Sequence, residues 1–150
     1  MHIVTGTLCG PRWIYLKRLA NMGIYVASRV SRAPIWKEYR QKGIKIISTW
    51  IDEAGDGETG DFGELWARIK REITHSQALV FYAQGLEDFP FKGALVEVGM
   101  ALALNKPVFV CINDVQLEGR TLRPLGSWSL ADQVTMCKTL DEAINLASAA

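Results

Sequence analysis

Histidine and cysteine are scarce in this 150-residue chain, with only His2 and His75 of the one and Cys9, Cys111 and Cys137 of the other. Two histidines this far apart give little support to a histidine-based triad or metal site. The cysteines form no CxxC pair and leave one thiol over under any pairing, which argues against a disulfide scaffold or zinc cage. A reducing cytoplasm is the expected compartment. Charge of one sign is also missing: 17 Lys and Arg against 16 Asp and Glu leave +1, so no bulk field recruits nucleic acid or an anionic membrane. Long hydrophobic runs are absent. Ala78 to Ala83 and Val108 to Ile112 fall far short of the ~20 residues that span a bilayer. The first residues lack the basic start, apolar stretch and small-residue cleavage site of a secretory signal, so none is expected. Neither an internal repeat nor a low-complexity tract is visible. What is there is apolar content, 49% of the chain, which excludes intrinsic disorder and suffices for one domain with a real core.

The apolar residues are patterned. Ile24-Tyr25-Val26-Ala27 reads as a short buried strand, Ser28 to Pro34 as a polar loop, and Trp36 to Gln41 as a helix stopped by Lys42-Gly43. Ile44 to Ile51 reads as a second, β-branched strand, followed by an acidic glycine loop from Asp52 to Gly60. Phe62 to His75 has helical spacing, with Leu65, Trp66, Ile69 and Ile73 on one side. A third strand is expected at Ala78 to Ala83, a helix at Gly93 to Leu104, a fourth strand at Val108 to Ile112, a fifth at Val134 to Cys137, and a closing helix at Asp141 to Ala147.

Apolar strands alternating with helices predict an α/β domain: a doubly wound parallel sheet of about five strands, covered on both faces. Ligands in such sheets sit at the carboxyl ends of the strands, where the strand order reverses. That directs attention to the segments starting at Ser28, Asp52, Gln84 and Asn113. Residues 1–21 fit the plan badly, since Gly10 and Pro11 interrupt any element; they are expected to be a dispensable extension, with the domain running from Met22 to Ala150. The rival reading adds Ile3 to Thr5 as an edge strand.

Gly55-Asp56-Gly57-Glu58-Thr59-Gly60 has the letters of a dinucleotide fingerprint. Its carboxylates would repel a diphosphate, and it follows the second strand rather than the first, so that function is rejected. An EF-hand fails because Ala54 and Gly63 occupy ligand positions. A solvated loop remains, with a lid over a hydroxyl-rich ligand as the second reading.

Glu97 is the one charged residue between Gly93 and Leu104. A carboxylate on a mostly buried helix costs free energy unless it is paired or used. Near the helix start, the backbone dipole favours its ionised form, which suits a nucleophile. A glutamate that accepts backbone N–H groups or pairs with an arginine explains the position equally well. Ser28-Arg29-Val30-Ser31-Arg32 follows the first strand, and its hydroxyls and guanidiniums can hold a phosphate or carboxylate, or can simply cap and solvate a loop. Trp50 and Asp52 flank the end of the second strand, where an aromatic face and an acceptor suit a base and a sugar hydroxyl; Tyr82 lies near the end of the third. His75 fits the C-terminal dipole of its helix, and Cys111 a small buried residue.

The run from Lys92 to Val108, with Gly93, Glu97-Val98-Gly99-Met100-Ala101 and Lys106-Pro107 in order, resembles a signature of the nucleoside 2-deoxyribosyltransferase family. Ile24 to Ser28 and Ile47 to Asp52 are similar to that family's first strand with its ligand loop and to its second strand. The resemblance implies a flavodoxin-like sheet and Glu97 as the nucleophile attacking C1′ of a deoxyribosyl group; together with the positional readings above, Ser28, Arg29, Arg32, Trp50, Asp52, Tyr82 and Gly93 are the expected substrate contacts. It implies no cofactor and no metal, a small-molecule nucleoside or nucleotide as partner, no nucleic acid or membrane, and a homo-oligomer, dimeric or larger. The chain departs from the pattern at Gln77 and Phe91-Lys92, where acids are expected, and leaves Glu64 or Glu72 to orient the nucleophile. The expected activity is cleavage of the N-glycosidic bond of a deoxynucleoside or its 5′-monophosphate, with transfer of the sugar to another base or to water. The alternative is a non-catalytic nucleotide-binding or sensing domain of the same fold.

Overall fold

The period-two alternation of the central strands dictates two cores, one on each face of a sheet. In the computed structural model, which describes residues 22–55 and 60–150, β1 (Ile24–Ala27), β2 (Ala78–Ala83), β3 (Val108–Ile112) and β4 (Val134–Cys137) lie side by side in that order, all parallel. Residues 1–21, the expected extension, and 56–59, the middle of the glycine loop, lie outside the described residues. Ile24, Val26, Val80, Tyr82 and Cys111 point to one face, beneath α1 (Ala33–Gln41) and α5 (Leu140–Ala149). Tyr25, Ala27, Leu79, Phe81 and Val110 point to the other, beneath α3 (Phe62–His75) and α4 (Gly93–Ala103). Both faces of β1 and β2 are fully covered, as continuous apolar strands require. Among the described residues no helix is long and apolar enough to cross a membrane.

Four of the five expected strands form. The segment from Ile44 to Ile51 does not, and its failure shapes the site. Ile46 makes a single parallel bridge to Ile24, with Ile24 N–H donating to Lys45 O at 2.9 Å and Ile47 N–H to Ile24 O at 3.0 Å. The next rung is taken by side chains. Val26 N–H donates to the buried Ser48 Oγ at 2.7 Å, and the Trp50 indole N–H donates to Val26 O at 2.9 Å. With the edge of β1 satisfied this way, the chain turns into a one-turn helix, α2 (Trp50–Glu53), instead of extending the ladder. Among the described residues the sheet therefore has four strands rather than five. Its order still reverses at β1, which touches the Ile46 segment on one edge and β2 on the other.

The helices begin where their caps allow. α1 starts three residues before the expected Trp36, because Pro34 sits in its first turn, where its missing N–H costs nothing. Asp61 caps α3 by accepting the Glu64 N–H at 2.9 Å, and Thr139 caps α5 by accepting the Glu142 N–H at 3.1 Å. α4 has no side-chain cap; Lys92, immediately before it, adopts φ 47° and ψ −104°.

Candidate functional site

The reversal of strand order leaves a crevice at the carboxyl ends of β1 and β2. A cleft of about 420 Å³ occupies it, bounded by the loop after β1, by Trp50, by α3 and by the segment leading into α4. Leu65, Trp66 and Ile69 of α3, with Trp50, make an aromatic and aliphatic wall, while Ser28, Arg29 and Ser31 bring hydroxyls and a guanidinium. Pro90, Phe91, Lys92 and Gly93 complete the rim, and Glu97 reaches the cleft from α4.

Glu97 lies one turn into α4 on its buried side, 7% exposed. The hydroxyl of Tyr25, on the fully buried strand β1, donates a hydrogen bond to its Oε1. Desolvation pushes the Glu97 carboxyl up to about 8; the Tyr25 hydrogen bond opposes that rise and the charge of Glu72 adds to it. Burial, and then Glu97 itself, hold the Tyr25 hydroxyl well above the usual tyrosine range. Burial thus favours the protonated carboxyl, and the carboxylate fraction grows as pH rises.

Glu72 comes from α3 and is fixed by Thr49, whose N–H donates to it at 3.2 Å and whose hydroxyl also donates to it. Arg68 donates to the Thr49 hydroxyl at 2.5 Å and pairs with Glu53 at 2.8 Å and Glu64 at 3.2 Å. Glu64 is thereby held by Arg68, whereas Glu72 lies close enough for its charge to act on both Tyr25 and Glu97. No group of three or more His, Cys, Asp or Glu side chains among the described residues is arranged to hold a metal ion.

Of the residues singled out in the sequence, Ser28, Arg29, Trp50, Gly93 and Glu97 line this one cleft. The Ser28 hydroxyl is engaged on both sides, accepting the Trp36 indole N–H at 2.8 Å and donating to Arg29 O at 3.0 Å. Arg29 donates one N–H to the carbonyl of Glu87 at 2.9 Å. Gly93 faces the Trp66 ring, which a β-carbon there would meet at 3.6 Å, an ordinary contact. Arg32, Asp52 and Tyr82 lie outside the lining. Arg32 grips Asp88, which is 1% exposed, through Nε at 3.1 Å and Nη2 at 2.7 Å, and also reaches Glu87. Asp52 takes both its bonds from Arg40, at 2.8 and 3.0 Å. Tyr82 is buried edge-on against Trp36, its hydroxyl accepting from Asn113 at 3.3 Å. Tyr25, Trp66 and Lys92 enter the site without having been selected from the sequence. The signal for Tyr25 was a hydroxyl in a wholly buried strand, which must find a partner.

No protein-family model and no curated protein sequence matches this chain. Among solved structures it is similar to a 2-deoxyribosyltransferase from the psychrotolerant bacterium Bacillus psychrosaccharolyticus, with a TM-score of 0.56 at 16% identity. The match covers 82% of this chain and 90% of that one. The two proteins share a fold.

Proposed function

We propose that this protein cleaves the N-glycosidic bond of a deoxynucleoside or deoxynucleoside 5′-monophosphate, using Glu97 as nucleophile. The observation that carries the reading is a single desolvated carboxyl, held by Tyr25, at a cleft with an aromatic wall on one side and polar groups on the other. The fold shared with a 2-deoxyribosyltransferase supports it. A base stacks against Trp50 or Trp66, the sugar lies over Glu97, and the hydroxyl- and arginine-bearing loop after β1 faces the rest of the molecule. The Glu97 carboxylate attacks C1′ as the bond from C1′ to the base nitrogen breaks. The base leaves with that electron pair and is protonated from solvent, while the sugar passes through an oxocarbenium-like transition state of the kind retaining glycosidases use. A second base or a water then attacks C1′, gives up a proton to solvent and releases the carboxylate. Tyr25 stabilises the charge that Glu97 must carry before attack and recovers on release.

The test is direct. Incubation with the common deoxynucleosides and their 5′-monophosphates should liberate free base, measured by chromatography, and Glu97→Ala should abolish it. One observation favours a second reading, a nucleotide-binding domain without turnover: Gln77 and Phe91-Lys92 stand where the resembled family places acids. Tight binding with no base released across the pH range would select that reading and reject the first.

A further inference from the structure

The apolar wall of the cleft is drawn from two elements, Trp50 from α2 and Leu65, Trp66 and Ile69 from α3, so its width depends on how α2 sits against α3. A helix of four residues cannot hold itself, because a first turn fixes several dihedrals for very few hydrogen bonds. On one side its backbone packs against α1, where Arg40 binds Asp52 at 2.8 and 3.0 Å and the Ser48 carbonyl at 3.1 Å. Toward α3 the ties are side chains. Thr49 stands where a threonine ordinarily caps a helix, yet it makes no side-chain cap to α2. Its hydroxyl is turned to α3 instead, donating to Glu72 and accepting from Arg68 Nη1 at 2.5 Å. Arg68 Nη2 meets both carboxylate oxygens of Glu53, the last residue of α2, at 2.8 and 2.9 Å. Arg68 Nε donates to Glu64 at 3.2 Å, one turn back on α3, which braces the guanidinium from its own helix. One planar group with donors in three directions thus grips α2 at both ends. The Arg68 side chain is 17% exposed, unlike the solvated surface pairs that contribute little. Trp50 needs such a support. Its indole N–H is bonded to Val26 O, and one bond at the ring's edge leaves the tilt of the ring to the backbone of α2.

We propose that Arg68 is a positioning residue for this cleft: by locking α2 to α3 it holds the Trp50 ring where a flat heterocyclic base stacks, without touching the ligand itself. Arg68 is not among the residues that line the cleft, so its effect on a ligand must pass through a group that does. The proposal rests on the glycosidic reading for its choice of ligand, a base carried on a deoxyribosyl group, and not for the lock.

The experiment measures the affinity of the full chain for deoxyadenosine and thymidine by calorimetry, in the Glu97→Gln background so that nothing turns over. Arg68→Met should weaken binding about tenfold, part of what stacking on an aromatic side chain supplies. Arg68→Lys keeps the charge but cannot reach Thr49 and Glu53 together, so it should fall between the two. In a Trp50→Ala background, Arg68→Met should cost nothing further, a result that a merely destabilising change would not give. A second arm uses no ligand. Trp50 emission, isolated by subtracting the spectrum of the matching Trp50→Phe protein, should move to longer wavelength in Arg68→Met as the ring gains water. If Arg68→Met does not fold, Arg68→Lys gives the same readings at smaller size. An affinity untouched by the Arg68 changes, an equal loss in the Trp50→Ala background, or an unshifted emission overturns the proposal, and the emission decides where neither nucleoside binds. The expected pattern with no base released by wild type supports the lock and sinks the glycosidic reading alone.

Discussion

Replacing Glu97 by Gln tests the burial of its carboxyl without reference to any substrate. The folded protein holds this group at about 8 against an ordinary 4.5, chiefly because burial penalises the charged form. Below the ordinary value both states are protonated and the group is silent. Between the two values the unfolded chain releases the proton while the folded chain keeps it, so stability falls as pH rises; above the folded value the penalty is constant. At about 1.4 kcal/mol per pH unit, wild type should lose ~3–4 kcal/mol through this group between about pH 5 and pH 9. Gln cannot titrate. Its second amide hydrogen needs an acceptor near Tyr25, a cost of ~1–3 kcal/mol that is the same at every pH and cancels from the slope. Chemical denaturation at both ends of the range should therefore show Glu97→Gln gaining ~3–4 kcal/mol relative to wild type, on the order of 10 °C in melting temperature for a domain of this size. Base release should vanish in the same variant. Stability curves that stay parallel across the range would refute the claim that this carboxyl is desolvated, and with it the electrostatic account of the site.

Other consequences follow from single contacts. The kcat/KM for base release should rise with pH on a limb centred near 8, since that parameter reports the free enzyme's ionisation; a flat profile would exclude Glu97 carboxylate as the attacking group. Tyr25→Phe removes a donor that favours the carboxylate, so the limb should move to higher pH and activity at neutral pH should drop, with circular dichroism unchanged. Asp88→Asn should cost ~1–3 kcal/mol by weakening the buried grip on Arg32 and the Gln84 N–H. The bonds to Arg32 and Gln84 outweigh desolvation and hold Asp88 below its ordinary value. Its contribution is therefore present above that value and fades as pH falls through the depressed one, so the wild-type advantage over Asp88→Asn should shrink in acid. Ser48→Ala strands the buried Val26 N–H and should cost ~1–3 kcal/mol, read by denaturant unfolding.

The strands that formed where the sequence placed them are those whose neighbours supply a full backbone ladder. Ala78–Ala83 and Val108–Ile112 are apolar on both faces and lie between two partners, so local pattern and tertiary demand agree. Ile44 to Ile51 carries the same β-branched pattern, yet its pairing ends after one bridge. Ser48 and Trp50, polar-tipped residues inside the run, take over the edge of β1, and periodicity counts apolar positions without registering that competition.

The candidate site divides along the same line. Glu97 stood out because the cost of burying a charge holds in any topology, so a lone acid in an apolar helix is conspicuous before the fold is known. Ser28, Arg29, Trp50 and Gly93 followed from their place at the carboxyl ends of strands. Arg32, Asp52 and Tyr82 had equal claims by position, and what separates them is the partner each meets: Asp88, Arg40 and Trp36. Such partners, 56 residues away for Arg32, leave no trace in local sequence. Tyr25 is the reverse case. Its parity on β1 sends it to the face that α4 covers, opposite Ile24 and Val26, and a buried phenol there must bond to something. On that face the acceptor it finds is the one carboxyl that the helix buries, so the hydroxyl and the acid each account for the other's place in the core.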